Sequence, residues 1–432
     1  MIPVYILDDE TPKHRAMGGA SRWWLHHSLA SLDASLRDKG SRLILRHGKC
    51  DEQLAQIAEE TGAGQIHCLH HYEPWWRNAE RAVAKHLDLI CHDGNYLAPP
   101  GSITTGSGGL YKIYTPFWRA LKDRMPPPPP TNRPREIAAP PKWPASDTLA
   151  DWKLLPTKPD WATGFGREWI PGEEGARQRV ADFIDDAGDY DRRRNLPSEE
   201  GSSRLSPHLH FGEVSPAYVW HRISKASGAT DVFLSEVAWR DYAQTVILQF
   251  PDYGARNARE TFDDFPWHTG KPAEDGLKAW QQGRTGYPIV DAGMRQLWAT
   301  GWMHNRVRMI AASFLIKHLL IDWRQGEQWF WDTLVDADYG NNAVNWQWTA
   351  GTGVDSNMFP RIMAPLTQSE KFDAAGYIRE WVPELAGLSD HQLHDPDEHG
   401  ARPSAYPPKI IGHREARTRA LAAYDVMKVH DI

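Results

Sequence analysis

The sequence predicts an α/β N-terminal domain built on a parallel sheet, followed by a larger all-α domain. Three observations carry that expectation. Short apolar runs alternate with helically spaced segments through residue 97. Glycine and proline then break all periodicity to about residue 160, and helical spacing fills almost everything beyond. Hydrophobic residues make up 41% of the 432-residue chain and charged residues 24%, which describes a globular protein and excludes a fibrous or disordered one. The length exceeds one ordinary core.

Taken in order, residues 2–7 (IPVYIL) form an apolar strand. Trp24, Leu25, Leu29, Leu32 and Leu36 recur at helical spacing across 21–38. A strand at Leu43–Leu45, a helix at 51–60, a strand at Ile66–Leu69, a helix at 75–86 and a strand at Leu87–Cys91 follow. This βαβα alternation implies parallel strands joined by crossover helices. In 98–160, Pro99-Pro100-Gly101, the Gly/Ser run 106–109, the prolines at 126–130 and Pro140-Pro141 predict a long surface connector. Its glycines lack phosphate-loop spacing. Further on, Ser206-Pro207 and Ser215-Pro216 each read as an N-cap followed by proline at the first helical position. A helix from Asp231 ends at Phe250, before Pro251, and others are expected over Val290–Thr300, Met303–Leu320, 326–335 and from Glu415. The domains are set at 1–97, 98–160 and 161–432.

Composition narrows the function classes. No apolar run is long enough to span a bilayer, and MIPVYILDDE has neither the basic start nor the apolar core of a signal peptide. Cys50, Cys68 and Cys91 cannot form a disulfide framework, so a reducing cytoplasm is the expected compartment. The net charge of −7 argues against binding through global positive charge. Between Arg284 and Arg324, however, six basic residues face two acids, a local excess of +4 that suits nucleic acid or a solvated helix face. The 21 tryptophans outnumber the 14 tyrosines, and those from Trp239 onward suggest stacking or electron transfer beside ordinary packing.

Several clusters carry possible chemistry. Gly201-Ser202-Ser203-Arg204-Leu205-Ser206-Pro207 offers hydroxyls and free N–H groups at a helix start, suited to a pyrophosphate or to a plain cap. Glu236, Trp239 and Arg240 share one helix face and could grip and stack on a base, or form an ion pair beside a core ring. In Trp302–Met309, Asn305 and Arg308 share one side while Arg306 and Met309 share the next. A buried Arg308 would require a carboxylate such as Asp336.

The blocks GSSRLSPHLHFGEVSP (201–216), SEVAWRDY (235–242), TGYPIVDAGMRQL (285–297), WMHNRVRM (302–309), DADYGNNAVNWQW (336–348) and FPRIMAPLTQSEKFD (359–373) together resemble the photolyase/cryptochrome family, and within it the bacterial class I dimer photolyases. The resemblance implies an antenna-type domain over 1–97 and a helical domain over 161–432 that holds FAD, active in its reduced form. It assigns Tyr190, Ser202, Ser203, Leu205 and Ser206 to the phosphates and ribityl chain. Arg308 and Asp336 become the ion pair beside the isoalloxazine, Asp338 the carboxylate at its ring edge, and Asn342 the residue facing N5. Arg240, Trp302 and Asn305 join the cofactor set. Glu236, Trp239 and Trp348 wall the lesion pocket, with Asn305, Arg306 and Met309 at its rim, and Trp346, Trp323 and Trp267 form the photoreducing chain. UV-damaged DNA is the implied partner, bound by a monomer, in a bacterial cytoplasm and without a membrane.

Asn305 and Met309 stand where (6-4) enzymes carry two histidines, so cyclobutane dimers are the expected lesion. A cryptochrome photosensor is the alternative, against which Asn342 counts. An aromatic-rich hydrolase would need paired acids and bind no flavin. Measured against the family, a strand and helix ahead of IPVYILDD are missing, so the sheet should lack its first strand. Trp75 and Trp76 disfavour folate as antenna, leaving deazaflavin, FMN or none. His67-Cys68-x-His70-His71 with Cys91-His92 superficially suggests zinc. Packing histidines and inert thiols are the expectation instead, with no metal.

Overall fold

The computed structural model describes residues 1–429. It divides into two compact units. Unit 1 comprises Met1–Ala187, Ser203–Pro251 and Val335–Gly340; unit 2 comprises Gly188–Ser202, Asp252–Leu334 and the chain from Asn341 onward. This division cuts across the boundaries drawn from the sequence, because the segment 203–251 clusters with the N-terminal residues.

Unit 1 opens with β1 (Val4–Leu7), α1 (Gly19–Arg37), β2 (Ile44–His47), α2 (Cys50–Thr61), β3 (Gln65–Leu69), α3 (Pro74–Val83) and β4 (Asp88–His92). The alternation and the parallel pairing are as the sequence predicts. The sheet itself consists of two separate pairs, β1 with β2 and β3 with β4, with nothing joining them among the described strands. Leu7, Leu25, Leu29, Leu43, Leu45 and Leu154 form the dry core under β1 and β2, with Tyr5 and Leu36 against it. Leu25 and Leu29 lie one turn apart on α1, and Tyr5 and Leu7 point to one side of β1. The outer edge of β2 is closed by the connector, where Asp147 donates its N–H to the Leu45 carbonyl at 2.8 Å.

The connector is not the structureless link expected. It contains α4 (Tyr114–Lys122), whose Phe117 and Leu121 are buried. Tyr114 donates its hydroxyl to the Ser235 carbonyl, and Tyr242 donates to the Lys112 carbonyl at 2.7 Å. Tyr114, Phe117 and Leu121 stand at i, i+3 and i+7, a helical stripe hidden in the sequence by flanking glycines and prolines.

The predicted helix from Asp231 runs Asp231–Gln249 and is stopped before Pro251. Ser215 caps the helix Pro216–Ile223 by accepting the Tyr218 N–H at 3.1 Å. Ser206 does not cap: it is the first residue of the helix Ser206–His210, with Leu205 in the cap position. The span expected as one helix from Met303 to Leu320 is Asn305–Ser313 followed by a wider π turn over Phe314–His318. In unit 2 the helices Pro288–Thr300 and Asn305–Ser313 meet closely at Gly293, where a Cβ would lie 2.4 Å from Val307 Cγ1.

Candidate functional site

Unit 1 contributes the face of helix 231–249. Trp239 is half-buried, and its ring lies parallel to Tyr114 with centroids 3.7 Å apart. One aromatic face is thereby covered by the protein's own residue. Glu236 is half-buried three residues before it. Arg240 does not turn outward with them. It donates to the Asn95 and Leu209 carbonyls at 3.2 and 3.0 Å and lies over the Tyr96 ring, so it builds the wall.

One residue on and one turn on, Asp241 and Gln244 are buried and incompletely bonded. Asp241 Oδ1 accepts the Ala98 N–H at 3.0 Å, while Oδ2 is buried without a partner. Burial pushes the Asp241 carboxyl up to about 7. Gln244 donates through Nε2 to Asp338 Oδ2 at 3.3 Å, and its Oε1 is also buried and unpartnered. Gly340 makes this approach possible, since a Cβ there would lie 2.8 Å from the Gln244 amide nitrogen. Asp338 is 3.9 Å from His210 Nδ1. Glu73, at the start of α3, is raised to about 7, first by burial and then by the Asp338 charge. Asp336 accepts the Ser206 hydroxyl at 2.6 Å, which commits that hydroxyl's only proton to a carboxylate. Ser203 Oγ accepts the Leu205 N–H at 3.4 Å, so its proton stays available. The Leu205 side chain is buried in the core, leaving only its backbone for a ligand.

In unit 2 the candidate residues lie as follows. Tyr190 begins the short helix Tyr190–Arg193 with the Arg194 guanidinium over its ring, and Ser202 follows Gly201. Gly201 touches the Arg193 carbonyl so closely that a Cβ would lie 2.5 Å from its oxygen. Arg308 Nε donates to the Met303 carbonyl at 2.7 Å, and its guanidinium sits over the buried Trp302 ring. Asn305 is exposed at the helix start. Arg306 donates to Asn195 Oδ1 at 2.5 Å, reaches Met309 Sδ at 3.7 Å and lies 4.7 Å over Phe372.

In helix Tyr339–Ala350, Asn342 is 9% exposed, and its amide nitrogen donates to both the carbonyl and the carboxylate of Glu327 at 3.0 Å. Both N–H groups are spent, so the face of Asn342 left for a ligand is its carbonyl oxygen. Trp346, one turn on, packs on Phe330 and Trp280 with centroids 5.0 and 6.3 Å away. Gly326 lets helix Trp323–Thr333 lie directly on that ring, since a Cβ would meet Trp346 at 2.2 Å. Trp323 is fully buried and donates to Asn257 Oδ1 at 2.9 Å, while Trp267 is half-buried against Phe265. Trp348 is half-buried.

Sequence reasoning missed Tyr114, Asp241, Gln244, Glu73 and Glu327. Gln244 could have been found one turn after Arg240. Glu327 carries no signal, because it meets Asn342 only through tertiary packing.

The comparisons with known proteins agree with one another. Residues 233–426 match the family described as the FAD binding domain of DNA photolyase, and residues 1–135 match the DNA photolyase family. A deoxyribodipyrimidine photo-lyase of Agrobacterium fabrum is 46% identical over 449 residues, spanning 99% of this chain and 92% of that protein. The crystal structure of a class III photolyase from Agrobacterium tumefaciens has a TM-score of 0.93 at 45% identity, with 99% and 92% of the two chains covered. An archaeal photolyase from Sulfolobus tokodaii, solved with two FAD molecules, gives 0.83 at 29% identity over 98% and 93%.

Proposed function

The chain belongs to the photolyase/cryptochrome family, and from that premise we propose that it repairs cyclobutane pyrimidine dimers in DNA under blue light. Its cofactor is FAD. The 45% identical neighbour is class III, which favours that branch over class I for this chain. The observation that carries the reading is the clamp of Glu327 on Asn342, which leaves a carbonyl oxygen as a fixed acceptor.

The residues present suit FAD. Tyr190, Ser202, Ser203 and the Leu205 backbone would hold the phosphates and ribityl chain; Ser206, its proton given to Asp336, holds that carboxylate instead. Asp338, with the unpartnered Gln244 Oε1 beside it, would supply acceptors for ring N–H groups; Asp336 in unit 1 and Arg308 and Trp302 in unit 2 are the other residues proposed to hold the cofactor. Arg240 fixes the wall. When bound and reduced, FAD supplies the photoexcited electron that opens the cyclobutane ring and takes it back afterwards.

Photolyases take the damaged bases out of the duplex stack, and a lesion is the cheapest base pair to extrude. Trp239, backed by Tyr114, would offer its remaining face to the dimer, with Trp348 as the second aromatic wall. Glu236 would accept from a pyrimidine edge, and Asn305, Arg306 and Met309 would form the rim. Trp346, Trp323 and Trp267 would return the flavin to its reduced form. A cytoplasmic monomer fits this role; no described helix is long and apolar enough to cross a membrane.

The test is illumination of the reduced holoprotein with oligonucleotides carrying either a thymine dimer or a (6-4) photoproduct. Loss of the dimer alone is expected. No dimer loss despite bound reduced FAD would leave the cryptochrome reading in its place.

A further inference from the structure

The pair β3–β4 carries a cluster that the repair chemistry does not use. Cys68 and Cys91 are direct partners in the parallel register, so both side chains emerge on the same side of the pair, and their sulfurs are 3.6 Å apart. His70, two residues beyond Cys68, follows on that side. Glu80 of α3 reaches back to it, with Oε2 3.2 Å from His70 Nδ1. The other carboxylate oxygen accepts the His71 N–H at 2.8 Å, which fixes the direction of the group. Donor atoms of His70, Glu80 and Cys91 all lie within 4.8 Å of one another. His67 and His92 pair at 2.9 Å on the opposite side and do not belong to the set.

Two of the distances match tetrahedral edges, while Cys68 lies outside the group of three donors and meets it through Cys91, 3.6 Å away. A tetrahedral zinc with Zn–S of about 2.3 Å holds two sulfurs about 3.8 Å apart, and with Zn–N and Zn–O of about 2.1 Å holds nitrogen and oxygen about 3.4 Å apart. The observed sulfur pair and the His–Glu pair each come within a few tenths of an ångström of those edges. Two thiolates, an imidazole and a carboxylate are the donor mix of a borderline-soft divalent ion, not of magnesium or calcium.

We propose that Cys68, Cys91, His70 and Glu80 form a structural zinc site that ties β3, β4 and α3 together. This reverses the sequence-based expectation of inert packing, which could not see that residues 23 apart stand in register. Thiols bind zinc as thiolates. Binding therefore releases two protons as two Zn–S bonds form. The ion completes a strand pair of which no residue is fully buried, where a metal contributes what the missing apolar burial does not.

The experiment uses the FAD-loaded full chain, freed of metal by a chelator and titrated with zinc. One zinc per chain after gel filtration is expected, with about two protons released per ion and protection of two of the three cysteines from a thiol reagent. Loss of even an outer partner of a metal ligand costs about 10–100-fold in affinity, so Cys91→Ser should weaken binding by more than 100-fold. His70→Ala should weaken it by at least tenfold. FAD content and circular dichroism identify variants that have not folded, and a Glu80→Asp variant reports on the site if they have not. Less than stoichiometric zinc, binding unchanged in Cys91→Ser, or a Cys68–Cys91 disulfide in the zinc-treated protein would each overturn the proposal.

Discussion

Two buried aspartates, Asp241 in unit 1 and Asp291 in unit 2, solve the same problem in opposite ways. Asp291 is fully buried, and its two oxygens accept four donors: the Thr285 N–H and hydroxyl at 2.7 and 2.6 Å, the Gly286 N–H at 3.0 Å and the Tyr406 hydroxyl at 2.6 Å. Asp241, equally buried, accepts one bond and leaves an oxygen bare. A saturated carboxylate is a structural rivet, which ties the turn at Thr285 to Tyr406. An unsaturated one is a standing cost, tolerated where a neighbouring wall has other work to do.

The contrast can be broken by mutation. Asp291→Ala strands four donors at once and should cost about 3–5 kcal/mol, the range for removing one partner from a buried charged network. Denaturant unfolding would measure it, and a loss under 1 kcal/mol would mean that the rivet is not structural.

Asp241→Asn should act through pH. Because the folded carboxyl is raised to about 7, the unfolded chain ionises first as pH rises from about 4. Stability therefore falls through pH 4–7 and levels off above. Removing the titration should flatten that slope by on the order of 3 kcal/mol. Urea midpoints at pH 5 and pH 8 decide it: parallel slopes for wild type and variant would show that burial does not raise the Asp241 carboxyl.

The smallest effect concerns a third buried carboxylate, Glu327, which accepts from the Asn342 amide. Glu327→Ala removes the carboxylate half of the clamp on the Asn342 amide and leaves the carbonyl half, and about a tenfold loss of repair rate at unchanged FAD content is expected, equivalent to about 1.4 kcal/mol. Equal losses of FAD and repair would make Glu327 part of the scaffold instead.

Much of this was legible from the chain. β1 to β4 and helix 231–249 lie within a few residues of their expected places, because period-2 and period-3.6 patterns report burial directly. Helix α4 was hidden because glycines and prolines surround its stripe. Ser206 was misread because Ser-Pro marks a cap only when the serine stays outside the first turn, and Asp336, 130 residues away, draws its hydroxyl inward. Glu327, Gln244 and the Cys68–Cys91 register are tertiary facts with no local period to betray them.

The π turn at Phe314–His318 sets a rule for insertions and deletions. Its extra residue delivers Lys317 into the interior, where the ammonium donates to the Met358 and Arg361 carbonyls at 2.8 and 3.1 Å. Removing any one residue from that turn would restore α periodicity and swing Lys317 by about 100°. Two carbonyls would then lose their donor. A one-residue deletion here therefore costs two buried hydrogen bonds that an apolar exchange at the same length would leave in place.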